Sequence, residues 1–431
     1  MHKEELSMNG FIDFMEKHFI PRASKIGAQR HLVAIRDSFI VTMPLMILGS
    51  LVLLINNLPI PAYQSFMNNI FGEELWKSFG GNVWNGTFGI LSVLIAFLVA
   101  HNLAKDYDKD GVAAGVVSVA SFFALGGLTG MSSNGLFIAL IVGLVSAEIF
   151  SRLSGNDKLV VKMPEGVPPA VAKSFAAMLP AMITISIFGL ICTIFIGFGI
   201  TDIVTSFYDL VQQPFMGLAN TLPSALLLAF ITPFLWFFGL HGANMVEPLM
   251  QTINAPAIEA NMAAVTNGDV APYIVNKPFF DSFVNLGGTG ATLGLIIAIL
   301  ILARRNKAYK VITGLSTAPG IFNINEPMMF GLPIVLNPIL FIPFILTPVV
   351  LVLVAYTATK FGLVPAAVTM PPWVTPPIIG GILATQSIAG GVLAAVNLVI
   401  SVVIYAPFVK IADIQAAKKA EEDQAKENSA I

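Results

Sequence analysis

Two stretches of this chain share a pattern that could do chemistry. NMVEPLM (244–250) and NINEPMM (323–329) both read N-x-x-E-P-[LM]-M. In each, a carboxylate stands directly before a proline. Proline suits the first turn of a helix, where its missing N–H is not needed, and it pushes the preceding residue out of the helical region. Glu247 and Glu326 are therefore expected where a helix starts or breaks, beside backbone groups free for a ligand. Asn323 and Asn325 bring donors and acceptors to Glu326. Carboxylate and amide oxygens accept from hydroxyls and amide N–H groups donate back, so the set suits a neutral, hydroxyl-rich ligand. The same residues would also serve as a helix cap with a structural carboxylate, and the residues alone leave both readings open. His241, in WFFGLHGANM, opens the break that holds Asn244 and Glu247. It is a site candidate, with a satisfied core histidine as the alternative. Trp373 stands among four prolines in TMPPWVTPPIIGG (369–381). An indole held in such a turn is a platform for the apolar face of a pyranose ring, or else an interfacial tryptophan. NKPFFDSFVNLGGTGATLG (276–294) lacks the Gly-Lys-Ser/Thr ending of a phosphate loop and reads as close helix packing or a re-entrant tip. No His/Cys/Asp set has metal-ligand spacing, so neither metal nor cofactor is expected.

The elements that must position these groups are apolar. Of 431 residues, 56% are hydrophobic and 11% charged, against about 25% charged in soluble domains. Runs such as ILFIPFILTPVVLVLVAY (339–356) are too long and unalternated for barrel strands. The fold class is an all-α polytopic membrane protein. A charge in such surroundings is costly without partners and is by default a functional candidate. Interrupted helices are tolerated at membrane depth where they are buried in protein or line a cavity, and paired interrupted segments point to a transporter's binding site. Residues 221–411, rich in Pro and Gly, are thus the working half. Residues 37–220 form the scaffold half, with spans near 37–56, 86–104, 112–128, 135–151 and 174–200 and an amphipathic connector at 201–220.

The segment 1–36 carries Lys3, Lys17, Arg22, Lys25, Arg30 and Arg36. Lys/Arg excess marks the cytoplasmic side, which places the N-terminus, the loop 151–173 and RRNKAYK (304–310) inside; the tail 412–431, polar enough for solvated helix or disorder, is expected there too. The polar stretch 261–279 leaves the number of crossings between 241 and 303 open. No cleavable signal peptide is expected, because the apolar stretches of the N-terminus are too short for one. The net charge of −2 gives no reason to expect nucleic acid. Cys192, the single cysteine, lies in ITISIFGLICTIFIGFGI. It can form no internal disulfide, and apolar surroundings disfavour the reactive thiolate, so it reads as a packing residue.

FGLHGANMVEPLM, NKPFFDSFVNLGGTGATL, STAPGIFNINEPMMFGLPIVLNP and PPWVTPPIIGGILATQS occur in this order. The chain resembles the membrane (IIC) component of the bacterial sugar phosphotransferase system, in its lactose, cellobiose and N,N′-diacetylchitobiose subgroup. The resemblance runs end to end and includes RHLVAIRDSFIVTMPLMILGS near the start. It implies a homodimer in the bacterial cell membrane, with about ten spans and two re-entrant hairpins per chain. The first half would form the dimer contact and the second would carry the sugar. On that resemblance His241 and Glu326 fall on the family's sugar-binding histidine and glutamate, and Trp373 on its sugar-contacting tryptophan. Asn325, Gly242 and Asn285 are carried over with them, and Glu247 follows from the repeated pattern. The family's phosphorylated cysteine belongs to a IIB protein, supplied in turn by IIA, so the phosphoryl group would arrive in trans. Glu326 would accept from sugar hydroxyls in a water-poor cavity and could help deprotonate the attacking hydroxyl. Phosphoryl transfer depends mostly on positioning and electrostatics. The alternatives are an ion-coupled secondary sugar transporter, with Glu326 and His241 carrying protons, and an intramembrane enzyme acting on lipid-linked sugar. Which disaccharide is carried is not readable from the residues.

Overall fold

The computed structural model describes residues 15–429 except 57–60, 160, 162, 165, 304–305 and 333. Lys3, Arg304, Arg305 and parts of the loop 151–173, used above to orient the chain, lie outside the described residues. Among the described residues the regular structure is all helical. Six helical stretches are long and apolar enough to cross a membrane: Arg30–Gly49, Glu74–Asp106, Ser133–Leu153, Val171–Gly197, Pro338–Lys360 and Ile388–Ile414. A seventh is counted if Ile203–Ala219 and Leu222–Phe237 form one span.

Proline is frequent inside these helices, and its polar consequences are met locally. In P-x-x-x-T, the threonine hydroxyl donates to the proline carbonyl one turn back: Thr184 to Pro180 at 2.7 Å, Thr252 to Pro248 at 2.6 Å and Thr347 to Pro343 at 2.6 Å. Such back-bonding satisfies a hydroxyl within its own helix, as an apolar medium requires.

The chain forms two compact units. One comprises Ile26–Leu218 and Glu247–Glu259. Its central helix, Leu91–Asp106, buries Leu91, Ile95, Ala96, Val99, Ala100, Leu103 and Ala104, a single face at helical spacing. Small residues let its neighbours approach closely: a Cβ on Gly143 would stand 3.0 Å from that of Val99. The hydroxyl of Ser118 donates to the Ala96 carbonyl at 2.8 Å. Cys192 is half-buried against the cluster of Ala96, Phe122, Ile138 and Phe188. If the chain carries sugar as its resemblance implies, replacing Cys192 with Ser is expected to leave phosphodonor-dependent uptake into vesicles largely intact. Abolished uptake by a folded Ser variant would assign the thiol to the chemistry.

The other unit comprises Met1–Lys25, Ala219–Val246 and Ala260–Ile431, described from Met15. Its core holds Trp236, Phe237, Leu295, Ile299, Met328, Met329, Phe344 and Tyr405. Buried polar groups in it hold backbone carbonyls at the end of the helix Lys277–Phe283 and in the Gly-rich turn that follows. The Tyr405 hydroxyl donates to the Gly290 carbonyl at 2.6 Å, and the Asn397 amide donates to the Phe283 carbonyl at 2.8 Å. Residues 361–376, which include the Pro-Trp turn, are non-helical up to the helix Pro377–Thr385. The last helix runs Ile388–Ser429.

Candidate functional site

The helix Leu222–Phe237 ends in a turn whose last residue, His241, caps the helix Gly242–Thr266. The backbone N–H of Asn244 donates to His241 Nδ1 at 3.2 Å. An accepting Nδ1 puts the proton of the neutral ring on Nε2. That Nε2 lies 3.8 Å from Glu326 Oε1. The buried Trp236 ring holds the imidazole from the side, with centroids 4.4 Å apart and planes tilted by 48°.

Glu326 is the first residue of the short helix Glu326–Gly331, and Pro327 occupies its first turn. Its side chain is 46% exposed and that of His241 40%. Both groups are partly exposed rather than enclosed by apolar side chains. At 3.8 Å the pair is too far apart for a hydrogen bond. A hydroxyl set to one side can instead accept from Nε2 and donate to Oε1, both at about 2.8 Å.

Three non-helical segments are fastened together behind Glu326. The Asn323 amide donates to the Trp373 carbonyl at 2.7 Å and to the Thr375 carbonyl at 3.1 Å. Its Oδ1 accepts from the Gly287 N–H at 2.8 Å. The Asn325 amide donates to the Thr289 carbonyl at 2.9 Å. The turn 285–290 is the Gly-rich stretch, and the Gly288 N–H donates to the Asn285 carbonyl at 2.9 Å. Gly288 has φ 98°, and a Cβ there would lie 2.7 Å from Asn325 Cγ, so the backbone approach depends on glycine. The structure thus ties Trp373, 40% exposed, to the segment that carries Glu326.

The other candidates are placed differently. Asn325 is buried and spends an amide N–H on Thr289. Asn285 is half-buried and serves the Gly-rich turn through its backbone. Gly242 is a packing position: a Cβ there would stand 2.0 Å from the Thr232 carbonyl oxygen. Contrary to the expectation from its Glu-Pro pair, Glu247 neither starts nor breaks a helix: Pro248 lies inside the continuous helix Gly242–Thr266, and Glu247 accepts from Gln251 Nε2 at 2.6 Å within it. Two charged groupings escaped the sequence reading. Lys277 and Asp281 pair at 2.9 Å, an i,i+4 spacing visible in NKPFFD. Glu148 accepts from His31 at 3.0 Å, from Arg152 Nη2 at 3.0 Å and from the Tyr107 hydroxyl, a convergence that only the fold reveals.

The family model described as "Phosphotransferase system, EIIC" matches residues 36–348. The "Lichenan permease IIC component" of Bacillus subtilis is 39% identical, over 96% of this chain and 96% of that protein. The "PTS system cellobiose-specific EIIC component" of Geobacillus stearothermophilus is 39% identical, over 97% of each chain. Among solved structures, ChbC, the IIC component of the N,N′-diacetylchitobiose-specific phosphotransferase system, superposes with a TM-score of 0.89 at 38% identity, covering 95% of this chain and 99% of that one.

Proposed function

Because the chain belongs to the EIIC family of the phosphotransferase system, we propose that it imports a β-linked disaccharide and presents it to a phosphorylated IIB partner. The observation that carries this reading is the open facing of His241 and Glu326, with an exposed Trp373 on a segment tied to the same loop. In the proposed complex, Glu326 accepts from sugar hydroxyls, the Nε2–H of His241 donates to one, and the Trp373 indole covers an apolar ring face. Relatives named for cellobiose and N,N′-diacetylchitobiose support the β-linked class.

For phosphorylation, the sugar hydroxyl oxygen bonds to phosphorus as the bond from phosphorus to the IIB cysteine sulfur breaks, and the thiolate leaves. The hydroxyl proton passes to Glu326 and then to water. In a loose transition state the alignment of the hydroxyl matters more than the strength of the base. The product is an anion in a site built for a neutral ligand, which favours its release. The rest of the reading follows the family. The protein is a homodimer of chains with about ten spans and two re-entrant hairpins, and IIA supplies IIB. Residues 37–220 form the scaffold and dimer half and 221–411 the sugar half. The N-terminal segment 1–36 and the tail 412–431 are cytoplasmic.

The test is equilibrium binding of cellobiose, lactose and N,N′-diacetylchitobiose to purified protein, with α-linked maltose as the contrast, and uptake with and without the soluble phosphotransfer proteins. At least one β-linked sugar is expected to bind, and uptake is expected to require the phosphodonor. Uptake driven by a pH gradient without phosphodonor would favour the ion-coupled transporter.

A further inference from the structure

Asn323 sits at a point where three segments distant in sequence meet, and its amide is fully occupied there. A side-chain amide has two N–H donors. One reaches the Trp373 carbonyl and the other the Thr375 carbonyl, while Oδ1 takes the Gly287 N–H. No N–H remains for a ligand, and the residue is 8% exposed. Its backbone lies at φ 62°, a left-handed conformation that Asn tolerates better than most residues other than Gly. That conformation turns the chain just before Glu326, while the side chain holds the backbone of Trp373.

We infer that Asn323 is a positioning residue that sets the separation between the Trp373 indole and the Glu326 carboxylate, and so the fit of the sugar between a stacking face and a hydroxyl acceptor. This rests on the sugar-permease reading. Asn323 itself does not touch sugar. Replacing it with Asp keeps an acceptor for Gly287 but removes both donors and sets a carboxylate against two carbonyl oxygens. Replacing it with Gly removes all three bonds while keeping φ near 60° free of strain.

The experiment is a double-mutant cycle on sugar affinity, using cellobiose, lactose and N,N′-diacetylchitobiose and taking whichever binds wild type most tightly. Asn323→Asp and Asn323→Gly are each measured in wild type and in Trp373→Ala, with thermal unfolding without sugar as the check on folding. Residues that act as a unit give non-additive effects. The expected loss for either Asn323 variant is about tenfold, equivalent to about 1.4 kcal/mol. In Trp373→Ala the same change is expected to cost less than about threefold, since the indole it places is gone. A merely structural defect would instead lower affinity equally in both backgrounds. Additive losses, unchanged affinity in both Asn323 variants, or failure of both variants to fold would overturn the inference while leaving the permease reading intact. If wild type binds none of the three sugars, the permease reading fails and the inference falls with it.

Discussion

Replacing Glu326 with Gln is expected to weaken disaccharide binding by about tenfold to a hundredfold, the range set by losing a charge-assisted hydrogen bond of about 1.5–3 kcal/mol. The change keeps shape and length but removes the charge and one acceptor. Glu326 is nearly half exposed, so the fold should tolerate the neutral side chain with little change in stability. The loss belongs to the complex, where the sugar displaces water and the acceptor must replace it. His241→Ala should also impair binding with folding kept, because it removes the donor opposite Glu326 and the ring that Trp236 supports. Glu247→Gln is the informative contrast. That carboxylate shares the Glu-Pro pattern but accepts from Gln251 inside its own helix, so its effect on affinity should be much smaller. Titration with the sugar that wild type prefers separates the cases. Near wild-type affinity in Glu326→Gln would remove this residue from the site. Normal binding with lost phosphorylation would leave it only the role of base.

The contrast between these two glutamates marks what was legible in the sequence. Glu-Pro as a helix start is a local bias: it holds for Glu326 and Pro327, at the head of a short helix, and fails for Glu247 and Pro248, which lie inside the helix Gly242–Thr266. The non-helical turn around Trp373 was legible for the same reason, since its prolines and glycines act on neighbouring backbone. The apolar helices were legible from composition. The direction in which a side chain points was not. Asn325 carries donors and acceptors that suit a sugar, but only the fold shows that one of its N–H groups is held by the Thr289 carbonyl. Asn323 joins residues 36 and 50 to 52 positions away, and no local pattern encodes such partners. The same holds for Glu148, whose partners His31 and Tyr107 lie 117 and 41 positions away. Lys277 and Asp281 were within reach of an i,i+4 count.

Gly242 shows how a residue can matter to a site through space rather than contact, and replacing it with Ala is the second large effect expected. A Cβ there would fall 2.0 Å from the Thr232 carbonyl oxygen, 2.9 Å from the Thr232 carbonyl carbon and 3.2 Å from Leu235 Cβ. The first two are backbone atoms of the preceding helix, which a rotamer change cannot relieve, so the start of Gly242–Thr266 must move away. Overpacking of this kind costs about 1–3 kcal/mol or more. His241 is the residue that moves with it, since it caps that helix through the Asn244 N–H. A shift of about 1 Å would alter the facing of Nε2 and Glu326 enough to lose a bridging hydroxyl, as hydrogen bonds tolerate only a few tenths of an ångström. Gly242→Ala is therefore expected to lower both thermal stability and sugar affinity, the latter by about tenfold or more. Gly314→Ala is the matched control: it lies in the helix Lys307–Ile321 with no heavy atom within 4 Å of its Cβ position, and it should be neutral or slightly stabilising by helix propensity. Unfolding temperature and sugar titration on both variants decide the matter. Wild-type affinity in Gly242→Ala would mean that the cap can slide without disturbing the site, and that the distance between His241 and Glu326 is not what the sugar reads.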